Sequence, residues 1–244
     1  MSLYLETINK DTFITYKDEP NVKGELGIPQ NRIVEIPNFV TPECAESIIN
    51  YIESYSSEWG DIAFYGSSGM GIHADDPRLA DYKLPPMFFE LLRQKFQEAI
   101  TLVFDREVTA NTSHAQKWDV GGFAAPHSDN SDFDGTPNAF EINKYVGILY
   151  LNNDYKGGEL YFPEHDIEFK PAAYSYICFP GGVENIHGVK EITEGTRYTM
   201  VSFWDFADAT YSDDKKAAWE EEIKEVRKAQ AEQKIEWEKG NKFA

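Results

Sequence analysis

The chain has 244 residues, 41% of them hydrophobic and 14% aromatic, enough for one large core, and its 42 acidic against 23 basic residues leave a formal charge of −19. Such a field repels phosphate backbones, so nucleic acid is excluded as the default partner and a neutral or basic substrate is favoured. No stretch reaches membrane-spanning length, the start M-S-L-Y-L-E-T-I-N-K-D lacks the basic lead and apolar run of a signal peptide, and two cysteines imply no disulfide framework; a soluble, cytoplasmic protein with no membrane partner is expected.

Residues 1–30 show little periodicity and are read as an N-terminal surface extension. The core is expected over 31–211. Thr41 can cap a helix with Pro42 at its first position, and Ala45, Ile48, Ile49 and Ile52 form one apolar stripe. A second helix follows Pro85 and Pro86, with Phe88, Leu92, Phe96, Ala99 and Val103 at helical spacing and an end near Phe104 and Asp105. Beyond it nearly everything reads as strand: 107–118, 145–151, 159–162, 167–170, 174–179 and 196–204. Helices first, then short strands punctuated by Gly and Pro, predict a mainly β fold with supporting helices, a double-stranded β-helix of the jelly-roll kind. Residues 212–244 form a third unit, with nine acids against eight bases and a narrow stripe at Trp219, Ile223, Val226 and Gln230. A long charged helix over 213–240 is expected, docked on its own barrel or contacting a second copy or a scaffold.

The chemistry-bearing residues are His127 and Asp129, two apart, then His187 and Arg197. Residues i and i+2 of a strand share a face, and a folded-back sheet can return His187 to them. Two imidazoles and one carboxylate occupy one face of an octahedral ion and leave the rest open for co-substrate and O₂, the pattern of non-haem Fe(II) oxygenases. Alternation along 196–204 puts Arg197, Thr199, Val201 and Phe203 on one face, and a guanidinium buried there calls for an anion. The segment from Asn130 to Glu141 has the oxygen spacing of an EF-hand calcium loop, but it starts with Asn and lacks a preceding helix, so a mobile acidic lid is the favoured reading. His73 lies in a Gly-rich loop, His114 in a strand run and His165 in a turn, none with a ligand's context.

Four stretches together resemble the prolyl 4-hydroxylase branch of the Fe(II)/2-oxoglutarate dioxygenases, across residues 32–206. Residues 118–129, W-D-V-G-G-F-A-A-P-H-S-D, resemble its Tyr-x-x-Gly-Gly-x-Tyr-x-Pro-His-x-Asp segment. Residues 145–154 followed by Gly157, Gly158, Phe162 and Pro163 resemble its strand and Gly-Gly-x-x-x-Phe-Pro. The step from His187 to Arg197 fits its spacing from distal histidine to 2-oxoglutarate-binding base, and residues 34–49 resemble its entry strand and first helix. The chain departs from the pattern at Trp118, which can donate but not accept where the branch has Tyr, and at Ala124, which lacks a hydroxyl and widens the cleft.

This resemblance implies Fe(II) on His127, Asp129 and His187, and 2-oxoglutarate contacts from Arg197, Trp118, Leu149 and Thr199. It implies hydroxylation of prolyl residues in a peptide or protein, coupled to decarboxylation of 2-oxoglutarate to succinate, with O₂ as co-substrate and ascorbate as reductant. A free amino acid or small molecule as target is one alternative. A non-catalytic barrel with a retained metal site is the other.

Overall fold

Thr41 stops its own backbone short of helical geometry and accepts a bond from the Cys44 amide, so helix α1 starts at Pro42 and runs Pro42–Glu53. Its Ala45, Ile48 and Ile52 are buried on one face. Helix α2, Phe88–Phe104, ends where Asp105 turns left-handed, and its inward row of Phe88, Leu92, Phe96, Ala99 and Val103 is buried as the spacing predicts. The computed structural model describes residues 7–19, 30–55, 60–62, 67–71 and 76–238, so His73 falls outside the described residues.

Among the described residues fourteen strands follow in chain order: β1 Ile14–Glu19, β2 Asn31–Ile36, β3 Gly60–Ile62, β4 Ser67–Gly71, β5 Val108–Trp118, β6 Ala124–His127, β7 Tyr145–Tyr150, β8 Lys156–Gly157, β9 Leu160–Phe162, β10 Ile167–Phe169, β11 Tyr176–Pro180, β12 His187–Val189, β13 Ile192–Glu194 and β14 Arg197–Phe206. Eight of them form one sheet in the order β1-β2-β11-β7-β14-β5-β4-β3, and four a smaller sheet, β10-β9-β12-β6; β13 and β8 make a separate pair. Neighbours are antiparallel throughout the described ladders, and the two sheets face each other as a jelly-roll barrel.

The large sheet is buried on both faces. Its outer face packs Leu149, Tyr176, Cys178, Met200 and Trp204 against Ile48, Phe96 and Ile100 of the helices. Its inner face packs Val146, Ile148, Ile177 and Val201 against Leu160, Phe162 and Val189 of the small sheet. That is why β7 and β11 read as continuous apolar runs rather than alternating ones. Strand β1, drawn from the first thirty residues, is an edge held to β2 by its backbone while its side chains remain exposed or half-buried.

Helix α3, Asp213–Glu238, is fastened through its first turns. Lys215 Nζ lies 2.5 Å from Glu141, Glu222 accepts from the Ala139 amide at 3.1 Å, and Trp219 meets Tyr211 edge-on. The first two contacts tie it to the loop between β6 and β7. Among the described residues no helix is long and apolar enough to cross a membrane.

Candidate metal centre

Strand β6 is the outer edge of the small sheet, so the missing N–H of Pro126 breaks no ladder bond. Its last residue, His127, stands directly opposite His187 of β12, and the two rings are 4.5 Å apart. Asp129 lies beyond the strand's end, so its aim comes from anchoring rather than from alternation. Its amide donates to the Gly181 carbonyl at 2.8 Å, and the Ser128 hydroxyl donates to the same oxygen at 3.1 Å. A side chain at position 181 would meet the Asn143 carbonyl at 2.7 Å, so the chain passes this point only as glycine.

Both imidazoles are held the same way. His127 Nδ1 sits 2.8 Å from the Ala125 carbonyl and His187 Nδ1 sits 3.0 Å from that of Asn185. A carbonyl only accepts, so each Nδ1 carries the proton and each Nε2 offers a lone pair. Those Nε2 atoms face the two oxygens of Asp129, at 3.7 Å for His127 and 3.5 Å for His187. Among the described residues these three side chains alone gather ligand atoms in the manner of a metal site, all within 4.8 Å of one another.

The set is costly as it stands. Asp129 Oδ2 is buried with no hydrogen-bond donor, and burial pushes the carboxyl up to about 6. Burial, with the neighbouring His127, holds His187 well below the ordinary histidine range. Two imidazoles turned toward a carboxylate without a donor are the ligands a divalent cation satisfies, and an octahedral one fits the donor chemistry with open positions to spare.

Across the cavity, Arg197 starts β14 with 1% of its surface exposed. Its Nη2 donates to the Tyr150 hydroxyl at 3.0 Å, and its guanidinium lies over the rings of Trp118 and Tyr150. Nε and Nη1 have no partner. Burial works against the charge, but the Tyr150 and Tyr155 phenols beside it outweigh that and raise its pKa. A permanently charged fork with two unused donors fits a carboxylate. A cavity of about 530 Å³ joins this fork to the His127, Asp129 and His187 cluster.

The positions expected from the sequence divide as follows. His127, Asp129, His187, Arg197 and Trp118 line this one cavity. Thr199 is fully buried on the same face, with its hydroxyl 3.5 Å from the Gln116 side-chain oxygen. Leu149 is a correction: it points to the helix side among the outer-face residues, and its neighbour Ile148 lines the cavity instead. The carboxylates of the 130–141 loop are dispersed, Asp134 accepting from the Thr136 amide and Glu141 pairing with Lys215, which leaves no calcium cage there. The same loop lends Asn138, Phe140 and Asn143 to the cavity wall. His165 is bound to the Glu184 carbonyl and Asn185 side chain, away from the cluster. Tyr150 and Gln116 were missed and His114 was set aside; each faces inward from a strand, a signal visible only once β5 and β7 are in register with β14.

A jelly roll with two imidazoles, one carboxylate and a buried arginine converging on one cavity has the architecture of a non-haem iron oxygenase. Residues 113–205 match the family model of the 2OG-Fe(II) oxygenase superfamily. Human prolyl 3-hydroxylase 2 is 39% identical over 80 residues, which are 31% of this chain and 11% of that protein. Prolyl 3-hydroxylase 1 of Gallus gallus is 38% identical over 82 residues, 32% of this chain and 11% of that one. The chain thus spans about a tenth of the length of these curated relatives. Among solved structures, the prolyl hydroxylase of Trichoplax adhaerens, in complex with a hypoxia inducible factor oxygen degradation domain peptide fragment, superposes with a TM-score of 0.56 at 17% identity, covering 76% of this chain and 86% of that one. The viral collagen prolyl hydroxylase of Paramecium bursaria Chlorella virus-1, in its 2OG complex, gives 0.52 at 15% identity over 72% and 96%. At these identities the structural likeness speaks to the fold.

Proposed function

We propose that the chain is an Fe(II)- and 2-oxoglutarate-dependent hydroxylase of prolyl residues in a peptide or protein. One observation carries the reading: a triad with an undonated carboxylate and a guanidinium with two unused N–H groups line the same cavity. His127, Asp129 and His187 would hold the metal, and Arg197, backed by Tyr150, would bind the distal carboxylate of 2-oxoglutarate. Bound together with O₂, iron and 2-oxoglutarate supply the oxidation of an aliphatic C–H, with succinate and CO₂ as the co-products.

The chain's own part is binding, aim and exclusion of water. The two Nδ1–H bonds fix the ring orientations and turn both Nε2 atoms toward Asp129. Val146, Ile148, Leu160, Val189 and Val201 line the cavity with hydrocarbon, which strengthens every charge interaction inside it. The prolyl target is supported by the names of the relatives over the matched 80 residues. Ala124 on the cavity wall widens the space and keeps a free amino acid or small molecule as the second reading.

Residues 31–211 are proposed as the oxygenase domain, flanked by a surface extension over 1–30 and a charged helical unit over 212–244. Ascorbate is proposed as the reductant that restores iron, and two buried thiols without a disulfide suit a cytoplasmic setting. Beyond its fastened turns, the 213–240 helix is proposed for contact with a second copy or a scaffold.

Anaerobic titration of metal-free protein with Fe(II) and 2-oxoglutarate tests the core of this reading. The visible charge-transfer band should appear in wild type, vanish in His187→Ala and need far more 2-oxoglutarate in Arg197→Ala. A wild-type protein with no band would leave a barrel without catalysis.

A further inference from the structure

Strand β5 presents Trp118, Gln116 and His114 on its inner face, and all three line the cavity. The indole Nε1 of Trp118 lies 3.2 Å from the Gln116 side-chain oxygen. An indole nitrogen only donates, so this contact fixes the amide: oxygen toward Trp118, NH₂ toward His114. The Thr199 hydroxyl, 3.5 Å from the same oxygen, can donate to it as well. Gln116 Nε2 then meets His114 Nε2 at 3.2 Å, and because an NH₂ group must donate, the histidine nitrogen accepts. The imidazole is left neutral with its proton on Nδ1, and no described residue accepts from that Nδ1–H.

We propose that His114 is a substrate-positioning residue whose Nδ1–H, oriented by the Trp118–Gln116 chain, donates a hydrogen bond to an uncharged amide carbonyl of a peptide substrate. The inference rests on the hydroxylase reading of the cavity and deepens it by choosing between its two substrate classes. Trp118 pairs with Arg197, Gln116 with Thr199 and His114 with Val201, so His114 stands four residues along the strand from the guanidinium's neighbour. Four residues of strand span about 13 Å, which separates this donor from the carboxylate held at Arg197. The ring of Phe203 flanks His114 with centroids 6.2 Å apart. Among the described lining residues Arg197 is the sole Lys or Arg, so a free amino acid would find no second cation for its carboxylate. A neutral donor between apolar walls suits an amide oxygen. Burial agrees with that neutrality, holding the imidazole down at about 4.

Two measurements on the full chain decide it. Two-dimensional ¹⁵N–¹H imidazole spectra should give His114 as the Nδ1–H tautomer; the Nε2–H tautomer overturns the chain of bonds whether or not metal binds. Second, an oligoproline peptide and free L-proline are titrated anaerobically into protein loaded with Fe(II) and 2-oxoglutarate. His114→Phe should weaken the peptide by about tenfold, the worth of one hydrogen bond. His114→Asn, whose amide N–H takes the Nδ1 position, should stay within about twofold, and 2-oxoglutarate affinity should not move in either. Unchanged peptide binding in His114→Phe, parallel loss of 2-oxoglutarate binding, or preference for free L-proline would each overturn the proposal. Wild type that binds 2-oxoglutarate but no peptide defeats this inference alone, whereas wild type that does not bind 2-oxoglutarate defeats the hydroxylase reading beneath it.

Discussion

The helix-backed side of the large sheet and its cavity side each bury a long basic residue, and they treat it in opposite ways. Lys95 of α2 is 6% exposed, donates to the Phe39 carbonyl and lies over the Phe39 ring. Arg197 is buried more deeply, yet two of its donors reach no acceptor. On the helix side Tyr176, Ser202 and Trp204 form a chain of bonds, the Tyr176 and Ser202 hydroxyls 2.8 Å apart and the Trp204 indole donating to Ser202 at 3.0 Å. On the cavity side Asp129 keeps a bare oxygen. Buried polar groups without partners cost stability, so Asp129 Oδ2 and Arg197 Nε and Nη1, three such atoms on residues lining one cavity, mark where a ligand completes the structure.

The largest break in this comparison comes from the packed side. Phe96→Ala removes a fully buried ring that stacks on Tyr176 at 4.8 Å, and should cost about 3–5 kcal/mol in chemical denaturation with 2-oxoglutarate affinity retained. Arg197→Met should do the reverse: about a hundredfold weaker 2-oxoglutarate binding by calorimetry, from the loss of charge-assisted bonds, with ligand-free stability unchanged or higher. Lys95→Met strands the Phe39 carbonyl and should cost about 1–3 kcal/mol with no effect on ligand binding. If Arg197→Met destabilises the ligand-free chain as much as Lys95→Met does, the contrast fails.

The last effect is one of pH. The unfolded chain protonates His114 near 6.5, while burial depresses the folded value to about 4, so between them the unfolded state binds more protons. Stability should therefore fall as the pH drops from about 6.5 to about 4, and His114→Phe should flatten that part of the denaturation profile.

Much of this was legible before the fold was known. The helix at Thr41 is set by a cap and a stripe, both local, and α2 and β14 lie close to their expected bounds. The triad was readable from its residue types in sequence order and because His187 opens a strand of its own, but the strand alternation expected to aim Asp129 fails, since β6 ends at His127. Leu149 was misplaced for a physical reason: β7 is buried on both faces, so an unbroken apolar run gives no phase and cannot tell Leu149 from Ile148. The orientation of His114 was beyond reach because it depends on an amide whose direction Trp118 dictates, and Trp118 acquires that role only through side-chain geometry. The edge strand β1 escaped notice since backbone pairing, rather than an apolar pattern, holds it.

The pairing of His127 with His187 has a mechanical side. Strand β6 has one neighbour, β12, and their register slips between His187 and Val189, so few ladder bonds hold this edge. A cation gripping both imidazoles is then a rivet across the weakest seam of the small sheet, and the amide hydrogens of Ala124, Ala125 and His127 should exchange more slowly as the metal content of the sample rises.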